Sequence, residues 1–271
     1  MTQAMILTVA PNGAYKQKQD HRALPVTPSE VVEAARQAVQ AGATMIHTHA
    51  RDEQGRHSLD ASLNKQIWEM LKTEVGDDIA VQLTTEAARI YQPPAQMAMV
   101  REVQPEAVSI AVRELLPEDN DIYGAQGFFH WLAEQEIVCQ YILYSAEDVQ
   151  RYHRLKAAGV IPSVPHHLLF VLGRYHAQQQ SSPDDLLPFL AAHQDETPWM
   201  VCAFGADEHR CARLAMQKGG DVRVGFENNL YDQHGELAAD NSVLIRQVVA
   251  EAKEQNRPVM TAAQWREQFA F

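Results

Sequence analysis

Met45-Ile46-His47-Thr48-His49-Ala50-Arg51-Asp52 is a β-rich run that carries two imidazoles two residues apart. Side chains at that spacing share one face of a strand, so His47 and His49 converge. A second run near the C-terminus, Val222-Arg223-Val224-Gly225-Phe226-Glu227-Asn228-Asn229, ends in a carboxylate. Runs of the same apolar, β-branched character recur roughly every 30 residues, a spacing that suits strand–helix units. They predict strands at 6–10, 45–49, 79–83, 107–112, 137–143, 168–172, 199–204 and 222–226. Helix-start signals stand between them. Thr27 precedes Pro28 and Glu30, Ser145 precedes Asp148, and Ser182 precedes Pro183-Asp184-Asp185. Gly42, Gly159 and Gly219 each fall between a helix and the next strand, where a C-cap belongs.

Eight strand–helix repeats in 271 residues fit a (β/α)8 TIM barrel, which takes about 250. No Gly/Ser or Pro linker divides the chain, so residues 1–271 are expected to form a single barrel domain. A doubly wound open sheet is the alternative, but the first strand–helix turn lacks the GxGxxG pattern of dinucleotide binding. Barrel enzymes work at the C-terminal ends of their strands. That rim collects Asn12 after strand one, His47 and His49, Thr84 and Thr85, Arg113, and Glu227.

Composition excludes several functions. The formal net charge is -12, opposite to what a nucleic-acid surface needs. No apolar run reaches the roughly 20 residues that span a bilayer, and residues 1–8 look like a first strand rather than a signal peptide. Three irregularly spaced cysteines form neither a disulfide framework nor a CxxC site, which points to a reducing cytoplasm.

Two imidazoles and one carboxylate with a fourth position open are a common catalytic zinc set, and His47, His49 and Glu227 supply it if the two strand ends meet. The bland readings are structural histidines and a rim salt bridge. Arg223 lies four residues before Glu227, and alternation points both the same way. A buried ion pair and an arginine that orients a carboxylate or a base both remain open. Thr84, Thr85 and Ser109 are either β-formers or hydroxyls for a substrate carboxylate. Arg51 and Asp52 read as a mutual or loop salt bridge. Arg174 is either an anion contact or a solvated loop charge. His166 and His167 fall at the opposite rim and read as non-catalytic. His21, His57, His130, His153, His193, His209 and His234 share no spacing and are expected mostly at the surface. Cys202 reads as a packed small residue, and no GxSxG elbow occurs.

The order Ala10-Pro11-Asn12-Gly13-Ala14, Leu24-Pro25-Val26-Thr27-Pro28, His47-Thr48-His49-Ala50-Arg51-Asp52 and Gln82-Leu83-Thr84-Thr85 resembles the β-keto acid cleavage enzymes. The resemblance continues through Gly159-Val160-Ile161-Pro162, Cys202-Ala203-Phe204-Gly205 and Arg223-Val224-Gly225-Phe226-Glu227-Asn228, so it covers nearly the whole chain. It implies a barrel with one Zn2+ per chain that takes a β-keto acid and acetyl-CoA to acetoacetate and a new CoA thioester. It also implies a homo-oligomer, with a tetramer as one form. The implied metal ligands are His47, His49 and Glu227. Arg223 matches the arginine that works with the catalytic acid, and Thr84 and Ser109 match hydroxyls that hold the keto acid. Asn12, Tyr15 and Thr85 complete the expected substrate-binding positions.

The chain departs from that pattern at three points. Asn228 stands where the family carries an aspartate base, and an amide does not accept a proton at neutral pH. Glu86 follows strand three at the same rim and is the candidate replacement. Glu86-Ala87 also replaces a Gly-Gly. The glutamate that recognises a substrate amino group falls at Tyr15, so the expected substrate is a neutral, apolar or acidic β-keto acid. Two other function classes stay open: a metal-dependent hydrolase or lyase on the same barrel, and a non-catalytic metal-binding barrel.

Overall fold

The computed structural model describes residues 4–117, 122–176 and 178–270. The expected beginning of the first strand at residues 1–3 lies outside them, as does the last residue of the expected domain. Eight parallel strands close in chain order: β1 (Leu7–Val9), β2 (Met45–Thr48), β3 (Ala80–Thr84), β4 (Ala107–Ala111), β5 (Val138–Leu143), β6 (His167–Leu172), β7 (Trp199–Ala203) and β8 (Asp221–Val224). β8 pairs back onto β1 through Thr8 and Arg223. The barrel is the expected (β/α)8 fold, and no expected strand end is displaced by more than two residues.

The helices are α1 (Pro28–Ala41), α2 (Ala61–Glu74), α3 (Pro93–Val103), α4 (Val112–Leu115), α5 (Ile122–Glu134), α6 (Ala146–Ala157), α7 (Leu187–Ala192), α8 (Glu208–Gln217), α9 (Asn241–Glu254) and α10 (Ala262–Gln268). α1 begins where its signals predict. Thr27 accepts from the Glu30 amide, and the Glu30 carboxylate accepts from the Thr27 amide. It ends at Gly42 with φ 96°. The start at Ser182 gives less than expected: a 3-10 turn over Pro183–Leu186, then the short α7. Pro188, at the start of α7, has no amide to extend the earlier turn as a helix. None of the described helices is long and apolar enough to cross a membrane.

Strands covered on both faces are buried, here at every position but Ile142 and Trp199, and alternation sorts their side chains into layers. Ile6, Met45, Ala80, Ala107, Val138 and Met200 pack with Trp265 of α10 and with Phe269 just after it, which close the barrel at the N-terminal ends of the strands. Arg266 ties α10 to Glu106. One level higher the interior is polar. His47 is in register with Gln82, Ser109 with Gln140, and Arg223 with both Thr8 and Cys202.

Candidate metal centre and active site

His47 points into the barrel from β2 and is 1% exposed, and His49 follows it one residue beyond the strand, equally buried. Their Nε2 atoms lie 3.1 Å apart. Glu227 Oε2 stands 3.4 Å from His49 Nε2 and 3.6 Å from His47 Nε2. A tetrahedral ion with bonds of about 2.0–2.2 Å sets its ligand atoms roughly 3.4 Å apart. The three donors therefore fit a metal ion. Glu227 Oε2 is buried and makes no hydrogen bond within the protein, which leaves its lone pairs for that ion. His47 Nδ1 donates to Gln82 Oε1 at 2.8 Å, so Nε2 keeps its lone pair. Burial, and then the Arg223 guanidinium, hold His47 well below the usual imidazole range. Burial alone would raise the Glu227 carboxyl, but Arg223 and the two imidazoles outweigh it and hold it well below the carboxylate range.

Arg223 donates to Glu227 Oε1 at 3.1 Å and is 4% exposed. The expected pair forms, but not by strand alternation. β8 ends at Val224, and residues 225–228 turn. Gly225 has φ 141°, and a Cβ there would lie 2.3 Å from the Ala10 carbonyl oxygen. The Asn228 and Asn229 amides bond back to the Gly225 carbonyl, and the Glu227 amide bonds to Ala10. This turn swings the carboxylate over the barrel mouth. Gly225→Ala is expected to destabilise the protein by about 2 kcal/mol or more, read as a lower denaturation midpoint. An unchanged midpoint would remove the turn argument.

The cavity above the triad is lined by Thr84, Glu86, Ala111, Ile142, Tyr144, Val171, Arg174 and Phe204. Glu86 is pinned from three sides. Its amide donates to Thr84 Oγ1, its carbonyl accepts from His57 Nε2, and the next amide, Ala87, donates to Glu114. Glu86 Oε2 lies 3.8 Å from His49 Nδ1, and Oε1 accepts from Arg174 at 3.1 Å. Ser109 Oγ is buried inside the barrel without a partner. The Thr85 hydroxyl is used within the protein, donating to the Ser109 carbonyl. Asn12 is likewise engaged: its amide brackets the His49 backbone, accepting from His49 N and donating to His49 O. Both amide atoms of Asn228 are buried and unpartnered. Tyr15 is 52% exposed and lies against the Arg174 guanidinium, 4.9 Å from the ring centre.

Several sequence readings need correction. Arg51 makes no pair with Asp52. It is buried and donates to the carbonyls of Gly13, Lys16 and Gly55, while Asp52 pairs with Arg56. His57 and His21 are not surface residues. His57 supports Glu86 beneath the site, where burial and the neighbouring His49 push it down to about 3. His21 donates to the Ala238 carbonyl and packs on Phe226, behind the Glu227 turn. Arg174 is not a solvated charge but part of the cavity wall. Lys16, which no motif marks, donates to the Glu227 carbonyl at 2.7 Å. Burial lowers its amine. A second donor group, His153, His193 and Asp195, is less suited to a metal. Lys156 already holds the Asp195 carboxylate at 2.6 Å, and His153 Nε2 accepts from the Gln194 amide.

The whole chain resembles known proteins. A family model described as beta-keto acid cleavage enzyme matches residues 4–270. The chain is 28% identical over 267 residues to the 3-keto-5-aminohexanoate cleavage enzyme of Fusobacterium nucleatum, covering 96% of each protein. It is 27% identical over 275 residues to the 3-oxoadipate:acetyl-CoA acetyltransferase of Cupriavidus necator, covering 98% of this chain and 94% of that one. The apo structure of ObcA superposes with a TM-score of 0.71 at 16% identity, over 91% of this chain and 65% of that one, and shows a shared fold.

Proposed function

Since the chain belongs to the β-keto acid cleavage enzyme family, we propose that it is a zinc-dependent transferase. It condenses a β-keto acid without an amino substituent with acetyl-CoA and releases acetoacetate and a new acyl-CoA. The observation that carries the reading is the meeting of His47, His49 and Glu227 within 3.6 Å at the mouth of the barrel. His47, His49 and Glu227 would hold the zinc ion, which when bound would supply Lewis-acid polarisation of the β-keto acid.

The chain's own groups account for the remaining demands. Glu86 takes the proton from the CH2 between ketone and carboxylate. The carbanion carbon attacks the acetyl thioester, and CoA leaves as the thiolate. The thiolate then adds to the substrate's original ketone. The bond between that carbon and the former CH2 breaks, which gives the new thioester and the acetoacetate carbanion. Glu86 returns the proton. Thr84 and Ser109 supply hydroxyls for the keto acid, and Arg223 holds the Glu227 carboxylate and faces the developing negative charge. Asn228 offers an amide only, so proton transfer falls to Glu86. Tyr15 provides no carboxylate for a cationic amino group.

Purified protein loaded with zinc would be mixed with acetyl-CoA and a panel of neutral, dicarboxylic and amino-substituted β-keto acids. Acetoacetate with a matching acyl-CoA, read by mass spectrometry, is the expected result for one of the first two classes. Turnover without acetyl-CoA would replace the reading by a hydrolase or lyase. Turnover of amino-substituted acids alone would overturn the substrate class.

A further inference from the structure

The polar layer inside the barrel is one continuous chain of hydrogen bonds, and it starts on a metal-binding imidazole. His47 Nδ1 meets Gln82 Oε1 at 2.8 Å. Gln82 Nε2 donates to Gln140 Oε1 at 3.3 Å. Gln140 Nε2 meets His167 Nδ1 at 3.0 Å, and His167 Nε2 meets Asp221 Oδ2 at 3.0 Å. Four strands besides β2 contribute a link: β3, β5, β6 and β8. All five side chains are buried, with exposures of 1%, 2%, 2%, 4% and 7% from His47 to Asp221.

The chain has a direction, and Asp221 sets it. An ionised carboxylate only accepts, so His167 carries a proton on Nε2, and its Nδ1 is bare because the donor Nε2 of Gln140 faces it. Gln140 must then donate to His167, which turns its carbonyl toward Gln82. Gln82 in turn donates to Gln140 and offers its own carbonyl to His47. The proton on His47 is thereby fixed at Nδ1, and Nε2 faces His49 and Glu227 with a free lone pair. The second proton of Gln140 Nε2 agrees with this orientation, pointing at Met200 Sδ 3.6 Å away. Asp221 is itself held in place by the Ile6 amide, which donates to Oδ1 at 2.8 Å.

We propose that Asp221, His167, Gln140 and Gln82 are positioning residues that select the metal-binding tautomer of His47 from the far end of the barrel. The proposal rests on the metal reading of His47, His49 and Glu227. It extends to four groups the usual arrangement in which a ligating histidine donates its other N–H to a neighbouring acceptor. It also gives a reason for so many polar side chains in a barrel interior, where an unsatisfied network costs more than an apolar core.

Asp221→Asn tests it, because the substitution keeps shape and reverses polarity. The Ile6 amide keeps the asparagine carbonyl at Oδ1, so the new NH2 faces His167 Nε2. His167 must move its proton to Nδ1, both glutamines must turn over, and Gln82 then donates to His47 Nδ1. The His47 proton ends on Nε2, where the metal should bind. Two readouts follow. In metal-free protein, the 15N shifts of the His47 ring are expected to show protonation at Nδ1 in the wild type and at Nε2 in D221N. In chelator competition, D221N is expected to bind zinc about 10–100-fold more weakly. Adding Gln140→Glu to D221N places an acceptor-only group mid-chain and is expected to restore both readouts.

An Nε2-protonated His47 in the wild type overturns the proposal, whether or not any variant folds. So does a D221N protein with unchanged tautomer and zinc affinity, or a double variant that is not rescued. If the wild type binds no zinc while the tautomers switch as described, the metal reading fails and the chain of bonds stands.

Discussion

His47→Ala combined with His49→Ala is expected to give a folded barrel that retains no divalent metal and turns over at least about 10^3-fold more slowly. A Lewis acid that offsets charge on a forming enolate contributes several kcal/mol, and each 1.36 kcal/mol is tenfold in rate. Glu227 cannot hold the ion alone, since one of its oxygens is already engaged by Arg223. The fold should survive because the barrel interior below the site is packed by the apolar layer against α10. Metal content by elemental analysis and acyl-CoA formation by mass spectrometry are the two measurements. Full turnover in the double variant would sink the metal-centre reading outright.

Much of this site was legible because its chemistry is local. His47 and His49 lie on one strand and its end, and a period of two is enough to bring them together. Glu227 was found for a partly mistaken reason. Alternation from Arg223 points to the right partner, but the strand stops at Val224 and the turn at Gly225 does the placing. The departures lie where contacts are long-range. Lys16, Arg174 and His57 sit in loops that carry no periodicity, and they reach the site only once the rim closes. His167 begins a strand at the far rim, and reading it as remote from catalysis is natural from sequence. Only the closed barrel brings Gln140, His167 and Asp221 together: β5 and β6 set Gln140 level with His167, and Asp221 reaches His167 across from β8. Arg51 shows the same limit. Its neighbour Asp52 is the obvious partner on paper, yet three carbonyls take the guanidinium and Asp52 turns to Arg56.

Glu86→Gln is the sharper test of mechanism, since it changes one atom type and leaves the cavity wall in place. The backbone of residue 86 is held by Thr84, His57 and, through Ala87, Glu114, none of which depends on the carboxylate. A glutamine carbonyl can still accept from Arg174. The variant should therefore bind metal as the wild type does. If Glu86 is the base, kcat is expected to fall by about 10^2–10^4-fold. The carbon acid can be followed without the second substrate. In deuterium oxide, with acetyl-CoA left out, the wild type should exchange the CH2 protons of a bound β-keto acid, and the variant should lose that exchange to the same degree. Loss of turnover with exchange intact would move Glu86 from proton transfer to the thioester steps. Retention of both would return the search to Lys16, whose amine donates to the Glu227 carbonyl. The outcome also bears on Asn228. A chain that assigns proton transfer to Glu86, just after β3, has no need of a second carboxylate after Glu227, and an amide there leaves one negative charge fewer around the triad. Arg223 and the Glu86–Arg174 pair line one cavity, so the keto acid would meet its base and its metal in the same space.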